Sequence, residues 1–435
     1  MVSDIFLSVW AVARVAGCFS EQCPPPPSSL RVDGMDIVGE QELQALREVI
    51  RSQRLCRERK GNAVNAFEEA FAGHIGRKYL YALNSGTSAN EASLIAAGVR
   101  PGDEVICPPC SFIATSLSAV AVGAIPVFAD VDPRTLILDP DAIESKITKR
   151  TKAVVVVHLF GQPARMDRIV DVARANDLKL VEDCAQAYDA TFRGRMVGTF
   201  GDVSCFSLQQ SKHITAGEGG MIATDDEEAY RKAVLHSNIG LPSYRYGVQK
   251  PVPQMAAGLP TRGHLAFGHN HRMSELQASV ALVQLGKIAQ FNQRRAVLAG
   301  LIAKCLGDLE WVQLAHVYPN TIPNWWEYPI RLRKTARMTA HDFCKRCEEA
   351  GFSLSCYKEV NYLEAVYQEM NHVRRTSLGI RLPPHVRYEA GICPEAEKGA
   401  SRLLSISCHH ASDPGPFEER LKELRKFIID LMSRK

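Results

Sequence analysis

The sequence predicts an α/β fold, in which a large, mostly parallel sheet domain is followed by a smaller α+β domain. Over residues 37–300, short apolar runs alternate with amphipathic helical stretches, as in sheets that helices cover on both faces. Over residues 301–435, the strands become shorter and the regular alternation ends. The chain has 435 residues, 46% of them hydrophobic, which is enough for a core of this size.

The elements of the large domain follow in order from residue 37. A first helix is predicted where Leu43, Leu46, Val49 and Ile50 form one stripe at helical spacing. Strands are predicted in the runs KYLYALN, DEVICP, IPVFADV, AVVVVHLFG, LKLVEDCAQAYDA, DVSCFSL and GGMIATDD. Helices are predicted in SGTSANEASLIAAG, FIATSLSAVAVG and MDRIVDVARAND, and a long one over residues 274–306. In the smaller domain, WEYPIRL and LLSISC are predicted strands, and TAHDFCKRCEEAG and PFEERLKELRKFIIDLM are predicted helices.

Two segments do not fit the alternating pattern. Residues 1–36 are predicted to be a weakly structured N-terminal extension that ends in a proline-rich linker. The apolar start of this extension is interrupted by Asp4 and Arg14 and has no basic residues before it, so it predicts neither a signal peptide nor a membrane span. Residues 238–272 are rich in glycine, proline and aromatic residues, and we expect a long substrate loop there.

Composition limits the possible partners and the compartment. The 52 basic and 48 acidic residues give a net charge of +4 and are dispersed along the chain, so we expect no nucleic-acid partner and no membrane partner. The 13 cysteines are odd in number and irregularly spaced, which predicts reduced thiols and a cytoplasmic location. Cys107 and Cys110 form a CPPC motif, which is typical either of a redox dithiol or of a buried pair at a strand end. We favour the buried pair, because no histidine cluster or second pair accompanies it.

Polar residues follow several of the predicted strands. Asp183, Ser207 and the turn at residues 85–88 all lie at the carboxyl ends of strands, where the working groups of parallel sheets gather. Taken singly, each has an ordinary alternative: the turn and Asp183 could be caps, and Lys212 could be a solvated surface lysine. We therefore read them together, as one site.

The order of these motifs indicates a pyridoxal phosphate enzyme. A small-residue turn before a helix can hold a phosphate, and Phe112, Asp183, Ser207 and Lys212 follow it before a glycine-rich turn. A lysine amine forms a Schiff base with the cofactor's aldehyde. A carboxylate keeps the pyridine nitrogen protonated, so that the ring can accept electrons. This combination is much more specific than any single motif.

The chain resembles the DegT/DnrJ/EryC1/StrS aminotransferases, which act on keto-sugars and keto-cyclitols. The resemblance covers residues 37–435. It is carried, in the family's order, by the motifs NSGTSAN, GDEVICPPCSFIAT, DVDPRTLILDPDAIE, VEDCAQAYDA, GDVSCFSLQQSKHITAGEGG and HNHRMSELQA. It implies the fold type I of pyridoxal phosphate (PLP) transferases, which is aspartate aminotransferase-like, with a seven-stranded sheet domain and a smaller C-terminal domain.

The resemblance also implies a role for each matched residue. Lys212 would form the Schiff base and shuttle the proton. The other implied contacts are Asp183 with the pyridine nitrogen, Gln186 with the phenolic oxygen, Phe112 with the ring face, and Gly86, Thr87, Ser88 and Ser207 with the phosphate. Asn270 would reach the phosphate of the neighbouring subunit's cofactor, which implies a homodimer with shared active sites.

The expected reaction is transamination, because relatives that remove a hydroxyl group carry histidine where this chain has Lys212. L-Glutamate or L-glutamine would donate the amine, leaving pyridoxamine 5′-phosphate, and a keto-cyclitol or a nucleotide-linked keto-sugar would receive it. The alternatives are a PLP-dependent dehydratase or other non-transaminating PLP enzyme, and a catalytically silent regulator of the same fold. A dinucleotide-dependent oxidoreductase is excluded, since no G-x-G-x-x-G motif follows the first strand.

The residues that select the substrate are less clearly marked. The stretch SCYKEVNYLEAVYQ lacks the histidine and proline that the family often shows in the small domain, so Tyr357, Lys358 and Tyr362 are either substitutes for them or packing residues. His213 is either a packing residue or a substrate contact. In the long loop, Arg245, Tyr246 and His264 are either substrate contacts or exposed polar residues.

Overall fold

The fold is described from a computed structural model, which covers residues 37–57, 62–242, 264–356, 360–409 and 412–433. The first nine strands are β1 (Tyr79–Leu83), β2 (Glu104–Cys107), β3 (Ile125–Phe128), β4 (Thr151–Val157), β5 (Lys179–Asp183), β6 (Thr191–Phe192), β7 (Arg195–Met196), β8 (Val203–Ser207) and β9 (Gly220–Thr224). Seven of them form the main sheet, and these seven coincide with the seven strands predicted from the sequence.

The main sheet has the strand order β1-β9-β8-β5-β4-β2-β3. Neighbouring strands from β8 to β3 are parallel, and β9 is antiparallel to both β1 and β8. The predicted mostly parallel sheet is thus confirmed. The inner strands are buried over most or all of their length, which explains why they read as continuous apolar runs instead of alternating ones. The carboxyl ends of six strands, and the start of β9, meet at one edge.

Helices cover this sheet, and most of them begin at a side-chain cap. They are α1 (Glu40–Ser52), α2 (Ala63–Ile75), α3 (Gly86–Ala96), α4 (Ala114–Ala121), α5 (Pro140–Ser145), α6 (Met166–Ala175), α7 (Glu227–Ser237) and α8 (Glu275–Leu306). The long helix α8 begins at Ser274, whose hydroxyl accepts from the Gln277 N–H while the Gln277 side chain returns to the Ser274 N–H. The helix predicted over residues 274–306 is therefore confirmed.

The C-terminal part contains a second sheet, with four strands. Its elements are β10 (Val312–Leu314), β12 (Glu327–Leu332), β13 (Ser355–Cys356), β14 (Leu403–Ser407), α9 (Ala340–Glu349), α10 (Ala365–Val373), α11 (Pro394–Ala400) and α12 (Pro414–Ser433). All strand pairs in this sheet are antiparallel, in the order β10-β12-β14-β13, as expected for an α+β unit. Helix α12 packs on α8, and one apolar core runs from the main sheet into this region.

A small three-stranded sheet was not predicted. It joins β6 and β7 to β11 (Thr321–Ile322), and these strands are only two residues long. Strands this short carry no periodic signal, because a pattern needs several repeats to be visible.

The cysteines behave as the sequence predicts. Those in the described ranges are free, and Cys107 and Cys110 are buried at the end of β2. Burial raises the pKa of both thiols, to about 12 for Cys110, so neither is a reactive thiolate. The CPPC motif is therefore the buried pair and not a redox dithiol. Among the residues described, no helix is both long and apolar enough to cross a membrane.

Candidate active site

The carboxyl edge of the main sheet brings together the residues singled out in the sequence. Asp183 ends β5, Ser207 ends β8, and Ser85 follows β1. Strand β9 begins at the same edge with Gly220. A side chain at this position would clash with the turn after β1, because its Cβ would lie 2.2 Å from the Ser85 carbonyl oxygen. The glycine-rich turn after Lys212 thus lets β9 pass close to the turn that opens α3.

The turn after β1 is a tightly bonded helix start. Ser85 caps α3 by accepting from the Ser88 N–H over 3.1 Å. The Ser88 hydroxyl lies 2.7 Å from the Asn84 Oδ1 and 2.9 Å from the Ser85 carbonyl oxygen. In this structure the Ser88 hydroxyl proton is donated within the turn, and the predicted contact of Ser88 with the phosphate stays a prediction. The N–H groups of Gly86 and Thr87 begin the helix and have no intrahelical acceptor, which makes them donors for an anion.

Gly86 and Ser207 form the walls of one small cradle. A Cβ on residue 86 would lie 2.7 Å from the Ser207 Cβ and 2.8 Å from its Oγ, so only glycine fits beside this serine. The carbonyl oxygen of Ser207 accepts from the Tyr188 hydroxyl over 2.7 Å, which fixes the end of β8. Backbone N–H groups and a hydroxyl meet here at a helix N-terminus, as a phosphate group requires.

Asp183 is buried, and several donors hold its carboxylate. Its Oδ2 accepts from the Thr115 hydroxyl over 2.9 Å and from the Asn90 amide over 3.2 Å, and its Oδ1 accepts from the Ala185 N–H over 3.1 Å. These donors come from α3, α4 and the turn after β5. The carboxylate is therefore fixed in orientation, as a partner for a ring N–H must be.

Lys212 is largely enclosed by the protein, so it is not an ordinary surface lysine. Its N–H is bonded to the Gln209 carbonyl in the turn after β8, 2.9 Å away. Burial lowers the pKa of Lys212 to about 8, and Arg295 acts in the same direction, whereas Asp183 and Glu327 oppose it. A lysine with such a pKa is neutral in a substantial fraction of molecules near neutral pH, so its amine can act as a nucleophile and base.

Three residues around Lys212 were missed by sequence reasoning. The Lys212 Nζ lies 4.0 Å from the centroid of the Trp326 ring. The neighbouring Glu327 is partly buried, with its carboxylate bonded to the Ser405 hydroxyl, and desolvation raises its pKa. Arg295 is fully buried in α8 and donates to the carbonyl oxygens of Trp326 and Lys212. All three come from distant parts of the chain and form no motif with Lys212.

Gln186 is held by the backbone of a neighbouring turn. Its Oε1 accepts from the Phe160 N–H over 2.7 Å, which leaves the amide NH₂ as the end that can donate to a phenolic oxygen. The same turn is tied to the segment that carries Trp326, since the Trp326 N–H donates to the Phe160 carbonyl over 2.9 Å. Gly161 belongs to this turn, with a φ of 96°, and a Cβ there would lie 1.9 Å from the Asn324 carbonyl oxygen.

Phe112 and Asn270 are both exposed. The Phe112 side chain is 69% exposed, and its carbonyl oxygen accepts from the N–H of Thr115, the residue that holds Asp183. The predicted contact of the Phe112 ring with the cofactor stays a prediction. Asn270 lies in an isolated bridge with Asn238, and the next residue, His271, accepts from the Asn84 N–H over 2.8 Å. The Asn270 segment therefore borders the turn that opens α3.

The structure corrects the substrate role considered for His213. Its side chain is fully buried, its Nε2 is bonded to the Asn324 carbonyl oxygen over 2.9 Å, and its ring packs on Tyr188. Burial lowers its pKa well below the usual range. Tyr362 is also buried and bonded to Glu397, so it is a packing residue. His264 is exposed and bonded to the Ile239 carbonyl oxygen. Arg245, Tyr246, Tyr357 and Lys358 lie outside the described residues, as does the extension at residues 1–36.

The donor set matches PLP feature by feature. The cradle of Gly86, Thr87 and Ser207 suits a phosphate, the fixed Asp183 carboxylate suits a pyridinium, and Lys212 supplies a partly neutral amine. A protein family model described as the DegT/DnrJ/EryC1/StrS aminotransferase family matches residues 36–416. The chain belongs to this family. Aminotransferases of the family depend on PLP, which is therefore the cofactor.

Two curated relatives of this aminotransferase differ in the kind of compound for which they are named. GDP-perosamine synthase of Caulobacter vibrioides is 38% identical over 293 residues, covering 67% of this chain and 75% of its own length. An L-glutamine:2-deoxy-scyllo-inosose aminotransferase of Streptomyces kanamyceticus is 38% identical over 379 residues, covering 85% of this chain and 86% of its own length. The first is named for a nucleotide sugar and the second for a cyclitol.

Solved structures agree on the fold of the aminotransferase. The crystal structure of 3-amino-5-hydroxybenzoic acid synthase superposes with a TM-score of 0.79 at 27% identity, covering 94% of this chain and all of that one. This confirms fold type I. Membership in a family of aminotransferases does not support a catalytically silent regulator.

Proposed function

We propose that this enzyme transfers the amino group of L-glutamine or L-glutamate to a six-membered polyhydroxylated cyclic ketone, with Lys212 as the residue that binds the cofactor covalently. The observation that carries the proposal is the setting of Lys212: it is largely buried, its pKa is lowered to about 8, and it shares its site with a fixed carboxylate and an anion cradle. An ordinary surface lysine would be almost entirely protonated near neutral pH, and would attack an aldehyde far more slowly.

Each residue of the proposed site has a role in cofactor binding or in proton transfer. When bound, PLP supplies an aldehyde and an electron-accepting ring. Gly86, Thr87 and Ser207 hold the phosphate, and the Asp183 carboxylate holds the proton on the ring nitrogen. The Lys212 amine, once free, takes the proton from the donor's α-carbon and returns a proton in the acceptor half of the reaction. The other proposed contacts are the Gln186 amide with the phenolic oxygen and Phe112 with the ring face.

We favour a keto-cyclitol as the acceptor and L-glutamine as the donor. The support is the coverage of the match: the inosose aminotransferase of Streptomyces kanamyceticus aligns over 85% of this chain, against 67% for the GDP-perosamine synthase. The two candidate acceptors share a ring of hydroxyl groups with one ketone and differ in the nucleotide. A nucleotide would need a further anion site, whereas a free cyclitol would not.

Acceptor choice can be tested with the purified enzyme loaded with PLP. 2-Deoxy-scyllo-inosose and a GDP-linked keto-sugar are each incubated with L-glutamine, L-glutamate or no donor, and amine formation is followed by mass spectrometry. We expect the cyclitol amine with L-glutamine and no product without a donor. A product only from the GDP-linked ketone would overturn the cyclitol assignment but keep the aminotransferase. Loss of the hydroxyl group without amine transfer would identify a dehydratase. The Lys212→Ala variant is the control for each reaction.

We also propose a homodimer in which Asn270 completes the partner's active site. Two exposed apolar side chains lie in the same region: Phe267 is fully exposed, and Ile239 follows the residue that bridges Asn270. Exposed apolar groups around a polar residue are typical of an interface. Light scattering should give a dimer for the wild type and a monomer for Phe267→Asp. A monomeric wild type that is fully active would overturn this proposal.

We place the enzyme in the cytoplasm. The support is the free state of the cysteines within the described ranges, since buried and exposed thiols alike persist in a reducing compartment. Fractionation of cells that produce the full-length protein, with detection by antibody, tests this assignment; recovery in an oxidising compartment would contradict it.

A further inference from the structure

A group of three potential metal ligands lies beside the active-site turn, two of them on helices and one in the segment before α8. Glu91 is in α3, His236 is near the end of α7, and His271 precedes α8. Their potential donor atoms all lie within 4.8 Å of one another. None of these residues has a role in the transamination site described above.

The two histidines of this group have buried nitrogens without partners. His236 Nε2 and His271 Nδ1 are inaccessible to solvent and have no hydrogen-bond partner among the residues that the structure describes. A buried polar atom without a partner costs free energy, so such atoms are rare unless something binds them. A buried imidazole nitrogen without a hydrogen-bond partner can serve as a metal ligand.

The backbone holds these side chains in place. The His269 N–H donates to the His236 carbonyl over 2.6 Å, and the His271 N–H donates to the Ser237 carbonyl over 2.9 Å. Because side chains alternate along an extended segment, His269 and His271 share one face and Asn270 takes the other. The rings of His269 and His271 are stacked accordingly, 5.1 Å apart with an interplanar angle of 8°.

In a second group of possible ligands, the potential donor atoms of the histidine and the glutamate already have hydrogen-bond partners. His158, Glu182 and Cys184 also lie close together and are fully buried. His158 Nδ1, however, accepts from the Ala164 N–H, and its Nε2 is bonded to the Glu182 carboxylate, which also accepts three backbone N–H groups. Both nitrogens of His158 and the Glu182 carboxylate are therefore already hydrogen-bonded, whereas the first cluster has two histidine nitrogens without a partner.

We propose that Glu91, His236 and His271 bind a zinc ion, with a water molecule as the fourth ligand. Two imidazole nitrogens and one carboxylate oxygen are a common ligand set for Zn²⁺, whereas Mg²⁺ and Ca²⁺ prefer oxygen ligands alone. Donor atoms around a tetrahedral zinc lie about 3.4 Å apart at zinc–nitrogen distances of about 2.1 Å. Small side-chain rotations would bring the three donors from their present spacing to that one.

The zinc ion would connect three parts of the active-site surroundings. It would join α3, which opens at Gly86, to the end of α7 and to the segment that carries Asn270 on its opposite face. In sequence, His236 lies just before the predicted substrate loop at residues 238–272, and His271 lies near the end of that loop. The ion would therefore fix the orientation of Asn270 without touching the cofactor.

The test measures zinc binding directly. The full-length PLP-loaded enzyme, freed of any affinity tag and dialysed against a chelator, is titrated with Zn²⁺ in competition with a chromophoric indicator. We expect one zinc ion per chain in the wild type. Binding should weaken at least about tenfold in Glu91→Gln and in the double variant His236→Gln/His271→Asn, and should be unchanged in His372→Asn, which removes an exposed histidine elsewhere.

X-ray absorption of the zinc-loaded enzyme gives a second readout, and we expect a four-coordinate site with two histidine ligands. Thermal unfolding shows whether the double variant folds. If it does not, zinc binding is compared between the wild type and Glu91→Gln alone, since this substitution keeps the shape of the side chain. Equal zinc binding by the wild type and Glu91→Gln, or no binding by the wild type, would overturn the proposal.

Discussion

The Lys212 Nζ lies 4.0 Å from the centroid of the Trp326 ring. Trp326 directly precedes β12 of the second sheet, and Lys212 follows β8 of the main sheet, so the contact joins the two parts of the chain. Contact with the ring favours the ammonium form, while burial favours the neutral amine. Burial dominates, because the pKa of Lys212 is lowered to about 8. The site is thus assembled only when the two sheets are packed together.

Glu327→Gln should shift the pH dependence of cofactor attachment. Removing this carboxylate removes a charge that raises the pKa of Lys212, so the pKa should fall further, by roughly one unit. The rate of PLP attachment to the apoenzyme, followed by absorbance, should rise with pH, with a midpoint near pH 8 in the wild type and at a lower pH in the variant. Glu349→Gln, which alters an exposed side chain, should match the wild type. A midpoint that moves upward would contradict this electrostatic account.

Asp183→Asn should keep PLP bound at Lys212 and lose activity. The amide can occupy the same space between Thr115 and Asn90, but it cannot hold the proton on the ring nitrogen. We expect kcat to fall by about a hundredfold or more. Steady-state kinetics of the PLP-saturated variants measure this effect, with Asp189→Asn as the matched control. Near-normal turnover in Asp183→Asn would remove this carboxylate from the mechanism.

Gly86→Ala should weaken PLP binding by about tenfold or more, because its Cβ would lie 2.7 Å from the Ser207 Cβ. Ser207→Gly, introduced in the same chain, should relieve the steric part of the defect. Gly73→Ala is the control, since a Cβ at residue 73 meets nothing within 4 Å. The dissociation constant for PLP, measured by fluorescence quenching, compares the variants. If the variants at residues 73 and 86 behave alike, the cradle does not hold the phosphate.

Glu182→Gln should destabilise the fold without changing the chemistry. Burial acts to raise the pKa of Glu182, but His158 and the N–H groups of Gly201 and Gly198 lower it overall, so the native state holds a buried carboxylate. Replacing it leaves these donors poorly satisfied, and the free energy of unfolding should fall by about 3 kcal/mol. Urea denaturation measures this, with Glu228→Gln as an exposed control. Unchanged unfolding midpoints would show that the cluster is not structural.

Much of the sheet and part of the site were predictable from the sequence because both depend on short-range patterns. The apolar runs that became β4 and β5 are continuous, and the sheet rule that active groups gather at strand ends led directly to Asp183 and Ser207. Lys212 was marked by its place between Ser207 and a glycine-rich turn. These signals lie within a few residues of one another.

The rest of the site depends on contacts that no local pattern encodes. Trp326, Glu327 and Arg295 reach Lys212 only through the packing of the second sheet and α8 on the first. His213 is a related case: the sequence left open whether it packs or contacts the substrate, and only the tertiary structure shows that its ring lies in the core. Side-chain direction in an irregular turn is set by tertiary packing and cannot be predicted from spacing.

Mapping the cofactor to one lysine tests the central claim most directly. The enzyme is incubated with PLP, reduced with borohydride, digested and analysed by peptide mass spectrometry. The account predicts one dominant adduct, on Lys212, which disappears when the donor L-glutamine is added before reduction. An adduct spread over several lysines, or located on another one, would contradict the assignment of Lys212 as the reactive amine.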